Sequence, residues 1–170
     1  MTTTRERIAA HVEHSPGIHF RGLARALDIA PGQAQYHLRK LDREGAVVAE
    51  TVGGRRHLFP PGYDERERLA LATLRRETAR DVLATLVRNG PSRPGAVADD
   101  LAIARSTLEW HLDRLIDASL VAKRRDEGGR VTLVLSDTGL VADLLDDVEP
   151  TLPERLVDRF TRLVDDLLTD

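Results

Sequence analysis

The sequence predicts a mainly α fold with small β-hairpins, an α+β arrangement built twice in tandem. Three observations predict it. Ala24, Leu27, Ile29, Ala30, His37, Leu38, Leu41 and Val47 reappear 74 residues later as Ala98, Leu101, Ile103, Ala104, His111, Leu112, Leu115 and Val121. The register holds conservatively at Thr4/Thr78, Ile8/Val82, Tyr36/Trp110 and Lys40/Arg114. That spacing is too long for a solenoid and suits two copies of a small domain. Second, each copy reads as helical periodicity followed by two short apolar runs. Third, those runs flank paired glycines, Gly53-Gly54-Arg55 and, one further residue along, Gly128-Gly129-Arg130.

In the first copy, Thr4 is the expected N-cap of a helix whose apolar positions are Ile8, Ala9 and Val12. Ser15-Pro16-Gly17 stops it, and Ile18-His19-Phe20 reads as a short extended stretch. A second helix over residues 21–27 buries Leu23, Ala24 and Leu27, and Asp28-Ile29-Ala30 turns the chain. Pro31 suits the first position of a third helix, where its missing N–H costs nothing. That helix runs to Glu44 with Ala34, Leu38 and Leu41 on one face, and Gly45 ends it. Val47–Ala49 and Leu58–Phe59 read as two strands around the cationic glycine turn Thr51–His57. Helix, helix, turn, helix, hairpin is the layout of a winged helix-turn-helix.

The second copy starts at Thr78 as expected cap, with a helix to Arg88 and the stop Asn89-Gly90-Pro91. Helices near Ala96–Leu101 and Arg105–Ala118 follow, then a hairpin joining Leu120–Arg125 to Val131–Leu135. Between the copies, Pro60-Pro61-Gly62 breaks the chain and residues 64–76 are helical by composition. Thr138–Val148 reads as a helix, and a last one covers residues 154–168. The expected organisation is thus a winged helix-turn-helix domain at 1–62, a linker helix at 63–77, a second such domain at 78–136, and C-terminal helices at 137–170. Leu156, Phe160, Leu163 and Leu167 share one side of the last helix and are expected to pair two copies into a homodimer, the alternative being that this side folds back on Leu69, Leu71 and Leu74 of the linker helix within one chain.

Charge is placed unevenly. Net charge is −3, yet residues 1–62 carry about +3 and residues 136–170 about −7. Lysine occurs only at Lys40 and Lys123, and arginine supplies the other cations. Such an acidic, lysine-poor and alanine-rich composition suggests a GC-rich genome and a halophilic source. Lack of cysteine excludes disulfide frameworks, Cys-ligated zinc and thiol redox sensing. Without a long apolar run or a signal-peptide pattern, the expectation is a soluble, cytoplasmic chain with no membrane partner.

The string Tyr36-His37-Leu38-Arg39-Lys40-Leu41-Asp-Arg-Glu-Gly45-Ala-Val47 resembles the recognition helix and first wing strand of winged-helix regulators of the ArsR/MarR type. Trp110-His111-Leu112-Asp-Arg-Leu115 and Leu120-Val121 do so again, and Leu135-Ser-Asp-Thr-Gly139 is similar to the exit from the wing in that group. The resemblance implies an archaeal transcriptional regulator that binds double-stranded DNA, with no cofactor and no enzyme activity. In a helix-turn-helix the third helix lies in the major groove. Its outer face in copy one carries Gln33, Gln35, Tyr36, Arg39, Lys40 and Arg43. Glutamine pairs bidentately with adenine, and arginine or lysine with guanine. Arg55, Arg56 and His57 on the wing are expected at phosphates or in the minor groove.

Copy two has the weaker reading face. Ser106, Thr107, Glu109, Trp110, Asp113, Arg114 and Asp117 lie outward, and the three carboxylates at four-residue steps make an acidic ridge that repels phosphate. Arg105, Thr107, Arg114 and Arg130 are its expected DNA contacts, with Lys123, Arg124 and Arg125 as further phosphate anchors. His37 and His111 suit helix packing or a phosphate hydrogen bond rather than metal or proton chemistry. His11, Glu13, His14 and His19 cluster in sequence but offer no clear third metal ligand on one helix face. No phosphate-cradling glycine loop precedes a helix, and no nucleophile–base set has supporting context, so no catalytic or metal residue is assigned. A rival reading is a protein-interaction module of tandem winged helices, similar to chromosome-segregation subunits of the ScpB type, which never touches DNA. No effector is legible.

Overall fold

A computed structural model of the chain describes residues 2–148. The chain divides into two compact units, one ending at Ala72 and one beginning at Thr73. The expected final helix and its pairing residues Leu156, Phe160, Leu163 and Leu167 lie outside the described residues.

The first unit starts with α1 (Thr4–His14), which buries Ile8 and Val12. Its N-cap is Thr3 rather than Thr4. The Thr3 hydroxyl accepts from the Glu6 N–H at 3.2 Å while the Glu6 carboxylate accepts from the Thr3 N–H at 2.7 Å, a reciprocal capping box. A two-residue strand β1 (Ile18–His19) leads into α2 (Phe20–Ala26), and α3 (Pro31–Arg43) follows with Pro31 in its first turn. Ala34, Leu38 and Leu41 are buried as the 3.6-residue period requires.

The wing strands β2 (Val48–Val52) and β3 (Arg55–Phe59) run further toward the tip than the sequence suggests. Only Gly53 and Gly54 remain in the turn, at φ +55° and +76°. Two consecutive positive φ values favour the tight hairpin turn whose twist matches its strands, and glycine adopts them freely. The sheet order is β1-β3-β2, all antiparallel. Ile8, Val12, Ile18, Leu23, Leu38, Leu41, Val47 and Leu58 form the core of this unit. Helix α4 (Glu65–Leu74) follows, and the division between units falls within it.

The second unit repeats the element order with α5 (Glu77–Asn89), α6 (Pro94–Leu101), α7 (Arg105–Asp117), and the hairpin β4 (Val121–Arg125) and β5 (Val131–Leu135). Thr78 does not cap α5. It lies inside the helix, 1% exposed, and Arg76 takes the N-cap position with no side-chain cap bond. Val82, Leu83, Leu86, Val97, Leu108, Leu112, Leu115 and Leu133 are buried. Helix α8 (Thr138–Asp147) is capped by the Asp137 carboxylate, which accepts from the Leu140 N–H at 3.0 Å. Arg80 donates to the Leu145 carbonyl at 2.7 Å, tying α5 to the last turn of α8.

Backbone detail recurs where side chains differ. Asp28 and Ala102 both sit in the left-handed region, at φ +51° and +50°. Gly45 and Ser119 do so at +70° and +57°. The Ile29 N–H donates to Ala24 at 3.0 Å, and the Ile103 N–H to Ala98 at 3.1 Å. Ile18 pairs with Leu58 in one unit, and Ser92 bridges Leu133 in the other. The four positive-φ residues stand where the chain reverses before and after the third helix of each unit, so they set that helix's placement on its own core.

Candidate nucleic-acid interface

Leu38 and Leu41 anchor α3 to the first core, so the opposite side of the helix faces solvent. Gln33, Tyr36, Arg39, Lys40 and Arg43 are exposed there, and Gln35 is half-buried. The side chains of Gln33, Arg39 and Arg43 make no hydrogen bond or ion pair with another described residue. Arg39 and Arg43 stand four residues apart, on one ridge of the helix. Charge on α3 is dominated by Arg39, Lys40 and Arg43 against the single carboxylate Asp42.

Other members of the expected set already hold one another. Arg56 on β3 donates to the Gln35 side-chain oxygen at 3.4 Å, a long bond that connects the wing with the helix. Lys40 lies 4.6 Å from the centroid of the Tyr36 ring, one helical turn away. The nearby Lys40 ammonium lowers the pKa of the Tyr36 phenol below its ordinary value; burial opposes this and Arg5 adds to the lowering. Tyr36 also meets His37 edge-on, at 5.2 Å between ring centroids. Arg55 and Arg56 are half-buried on the wing.

His57 departs from expectation. It belongs to β3, is 3% exposed, and its Nδ1 lies 2.7 Å from the Gly17 carbonyl oxygen. Its ring meets His19 at 5.8 Å. His57, Leu58 and Phe59 are all buried, so β3, the middle strand of its sheet, is covered on both faces here and His57 is enclosed whichever way it points. It is a packing residue between β1 and β3.

In the second unit α7 presents a different face. Thr107 was expected outward, but it is 6% exposed. Its counterpart in α3, Gln33, is long enough to reach solvent, whereas a short β-branched side chain stays down against the helix. Trp110 is 38% exposed and lies within 3.2 Å of the Arg114 guanidinium carbon and 4.6 Å of that of Arg76, measured to its ring centroid. Arg114 also donates to the Trp110 carbonyl at 2.8 Å. Burial lowers the pKa of Arg114, with Asp113 and Asp117 acting in the opposite direction. His111 is 5% exposed and packs edge-on against Trp110 at 4.7 Å.

The acidic ridge is modified by a partner the sequence spacing does not reveal. Glu109 accepts from the Lys123 ammonium on β4 at 2.7 Å, leaving Asp113 and Asp117 as the exposed carboxylates without a lysine or arginine in ion-pair contact among the described residues. Arg130 at the wing tip is held by Asp126 at 3.0 Å. Arg105, at the start of α7, is exposed, as are Arg124 and Arg125.

Among the described residues no three His, Cys, Asp or Glu side chains gather as a metal site, so His11, Glu13, His14 and His19 do not form one. No helix there is long and apolar enough to cross a membrane.

Residues 2–71 match the family model HTH_HVO_0163_N, an N-terminal HTH domain. With the elements described above, the match identifies a winged helix-turn-helix domain in the first unit. The chain is 26% identical over 138 residues to a protein of Methanocaldococcus jannaschii named as the uncharacterized HTH-type transcriptional regulator MJ1398. That alignment covers 81% of this chain and 34% of the relative, so the chain spans about a third of the relative's length. Among solved structures, ScpB from Mycobacterium tuberculosis is similar at a TM-score of 0.34 and 15% identity, covering 82% of this chain and 93% of that one.

Proposed function

We propose that the chain is a DNA-binding transcriptional regulator whose first unit reads duplex DNA. The observation that carries this reading is the outer face of α3, where Gln33, Arg39 and Arg43 are exposed and uncommitted on a domain that matches a helix-turn-helix model. The regulator name of the M. jannaschii relative supports the same reading. Helix α3 enters the major groove, with Arg39 and Arg43 offering the donor pattern that guanine O6 and N7 accept, and Gln33 that of adenine. The wing residues Arg55 and Arg56 meet the adjoining backbone. Gln35, Tyr36 and Lys40 complete the face while stiffening it.

The regulator acts as a homodimer paired through residues 152–168, which sets two α3 helices about one DNA turn apart, ~34 Å, for a palindromic site. Sedimentation of the full chain beside a version ending at Glu149 tests this part: a dimer that becomes a monomer supports it, and two monomers refute it.

For the function as a whole, the test is binding to a mixed-sequence duplex at two salt concentrations, then selection of a preferred sequence. Steeply salt-dependent binding with a selectable site is expected. Absence of binding at low salt refutes the reading and favours a protein-interaction module, to which the carboxylates Asp113 and Asp117 on α7 would then belong.

A further inference from the structure

In the second unit more exposed cations lie on the wing than on the third helix, whose exposed arginine is Arg105 in the first turn. On α7, Arg105 and Arg114 stand against Glu109, Asp113 and Asp117, the reverse of the balance on α3. Arg114 is committed to Trp110, Glu109 to Lys123, and Thr107 is buried. What remains exposed along α7 past its first turn is Trp110 with Asp113 and Asp117. Such a surface meets the phosphate walls of a major groove with like charge.

The hairpin shows the opposite pattern. In the first unit β2 carries Glu50, which pairs with Arg68. The corresponding strand β4 carries Lys123, Arg124 and Arg125 in succession. Lys123 is used by Glu109, and at the tip Asp126 takes Arg130. Arg124 has no hydrogen-bond or ion-pair partner among the described residues, and Arg125 makes only a 3.5 Å contact to the Gly129 carbonyl. Successive strand residues project to opposite faces, so these two guanidinium groups flank the ribbon on both sides. Within the two-stranded sheet β4 is also an edge.

We propose that the second unit contacts duplex DNA through Arg124 and Arg125 of its wing, on phosphates and without sequence preference, while α7 stays outside the groove. This inference rests on the DNA-binding reading of the first unit. Charge complementarity selects the occupant: two exposed, uncompensated guanidinium groups on a thin ribbon fit a polyanion backbone, to which arginine binds bidentately.

The test uses the full-length chain and several unrelated duplexes. Arg124→Gln with Arg125→Gln is expected to weaken binding to every duplex by the same factor. Two lost phosphate contacts also make the slope of log K against log salt shallower by about 1.8. Arg124→Lys with Arg125→Lys keeps the charge and is expected to keep the slope, which separates loss of contact from loss of fold. Trp110, the only tryptophan in the chain, is expected to keep its emission when DNA saturates the wild type. An unchanged slope in the glutamine variant overturns the inference, as does a loss confined to one sequence or a Trp110 emission change on binding. If the wild type binds no duplex at all, the DNA-binding reading itself has failed. A wild type that binds while the glutamine variant is unaffected refutes only the role of this wing.

Discussion

Replacing Arg39 and Arg43 together with glutamine removes two exposed charges from α3 while leaving Leu38 and Leu41 in the core. Neither arginine has an ion-pair partner among the described residues, so folding stability should change by less than about 0.5 kcal/mol. The effect on DNA is larger and has two separable parts. If both groups contact phosphate, the salt slope falls by about 1.8, so raising salt fourfold weakens the variant about 12-fold less than the wild type. If instead they pair with guanine, each loses about 1–3 kcal/mol of discrimination, roughly 5- to 150-fold between the preferred site and one changed at the contacted base. Fluorescence anisotropy with the selected site, a single-base variant of it and a mixed-sequence duplex, each at two salt concentrations, measures both parts. Melting followed by circular dichroism confirms the fold. A variant with wild-type affinity, slope and discrimination would place α3 outside the DNA and remove the basis of the proposed function.

Leu38→Ala should destabilise the first unit by about 3–4 kcal/mol, since transfer of roughly three methylene equivalents contributes about 2.4 kcal/mol and the cavity adds the rest. Urea denaturation checks it, and a loss under about 1 kcal/mol would contradict the packing of Leu38, now 1% exposed. Lys40→Gln should move the Tyr36 absorbance titration to higher pH, because Lys40 is the main cause of its lowered pKa. The folded chain favours the phenolate, so this linkage adds stability above the unfolded tyrosine value and loses it as pH falls through the lowered one. DNA affinity should meanwhile drop as pH rises through that titration, when a negative phenolate forms on the reading face; a flat alkaline profile would mean Tyr36 lies away from the duplex.

How far the structure was legible from sequence depended on the range of the interaction. Helix α3 starts at Pro31 as expected and ends before Gly45, because proline, glycine and the Ala34-Leu38-Leu41 stripe are all local signals. The stacked pairs Tyr36–Lys40 and Trp110–Arg114 recur at four-residue spacing, and that too was open to local reading. So was the true cap of α1, since Thr3 precedes Glu6 by the three residues of a capping box while Thr4 does not. Thr107 failed for another reason: its place on the outer face of the helix did not fix how far its short side chain reaches, and it is buried. Lys123 beside Glu109, Arg56 beside Gln35 and Arg76 beside Trp110 join separate elements. Nothing in local periodicity encodes them. They decide which charges on each face are available, so the candidate site was less legible than the fold that carries it.

The two lysines acquire a practical meaning from where they fall. Lys40 rests against an aromatic ring on α3, and Lys123 is bound to a carboxylate on β4. An amine-selective acylating reagent thus has one side-chain target in each unit, on the element under question there. Mass spectrometry of the labelled chain with and without duplex then gives a separate occupancy for each unit from one sample. The arginine-rich makeup of the chain keeps every other basic side chain silent to the reagent. A scarcity of lysine that first reads as a compositional bias becomes a two-channel reporter of how the protein meets its ligand.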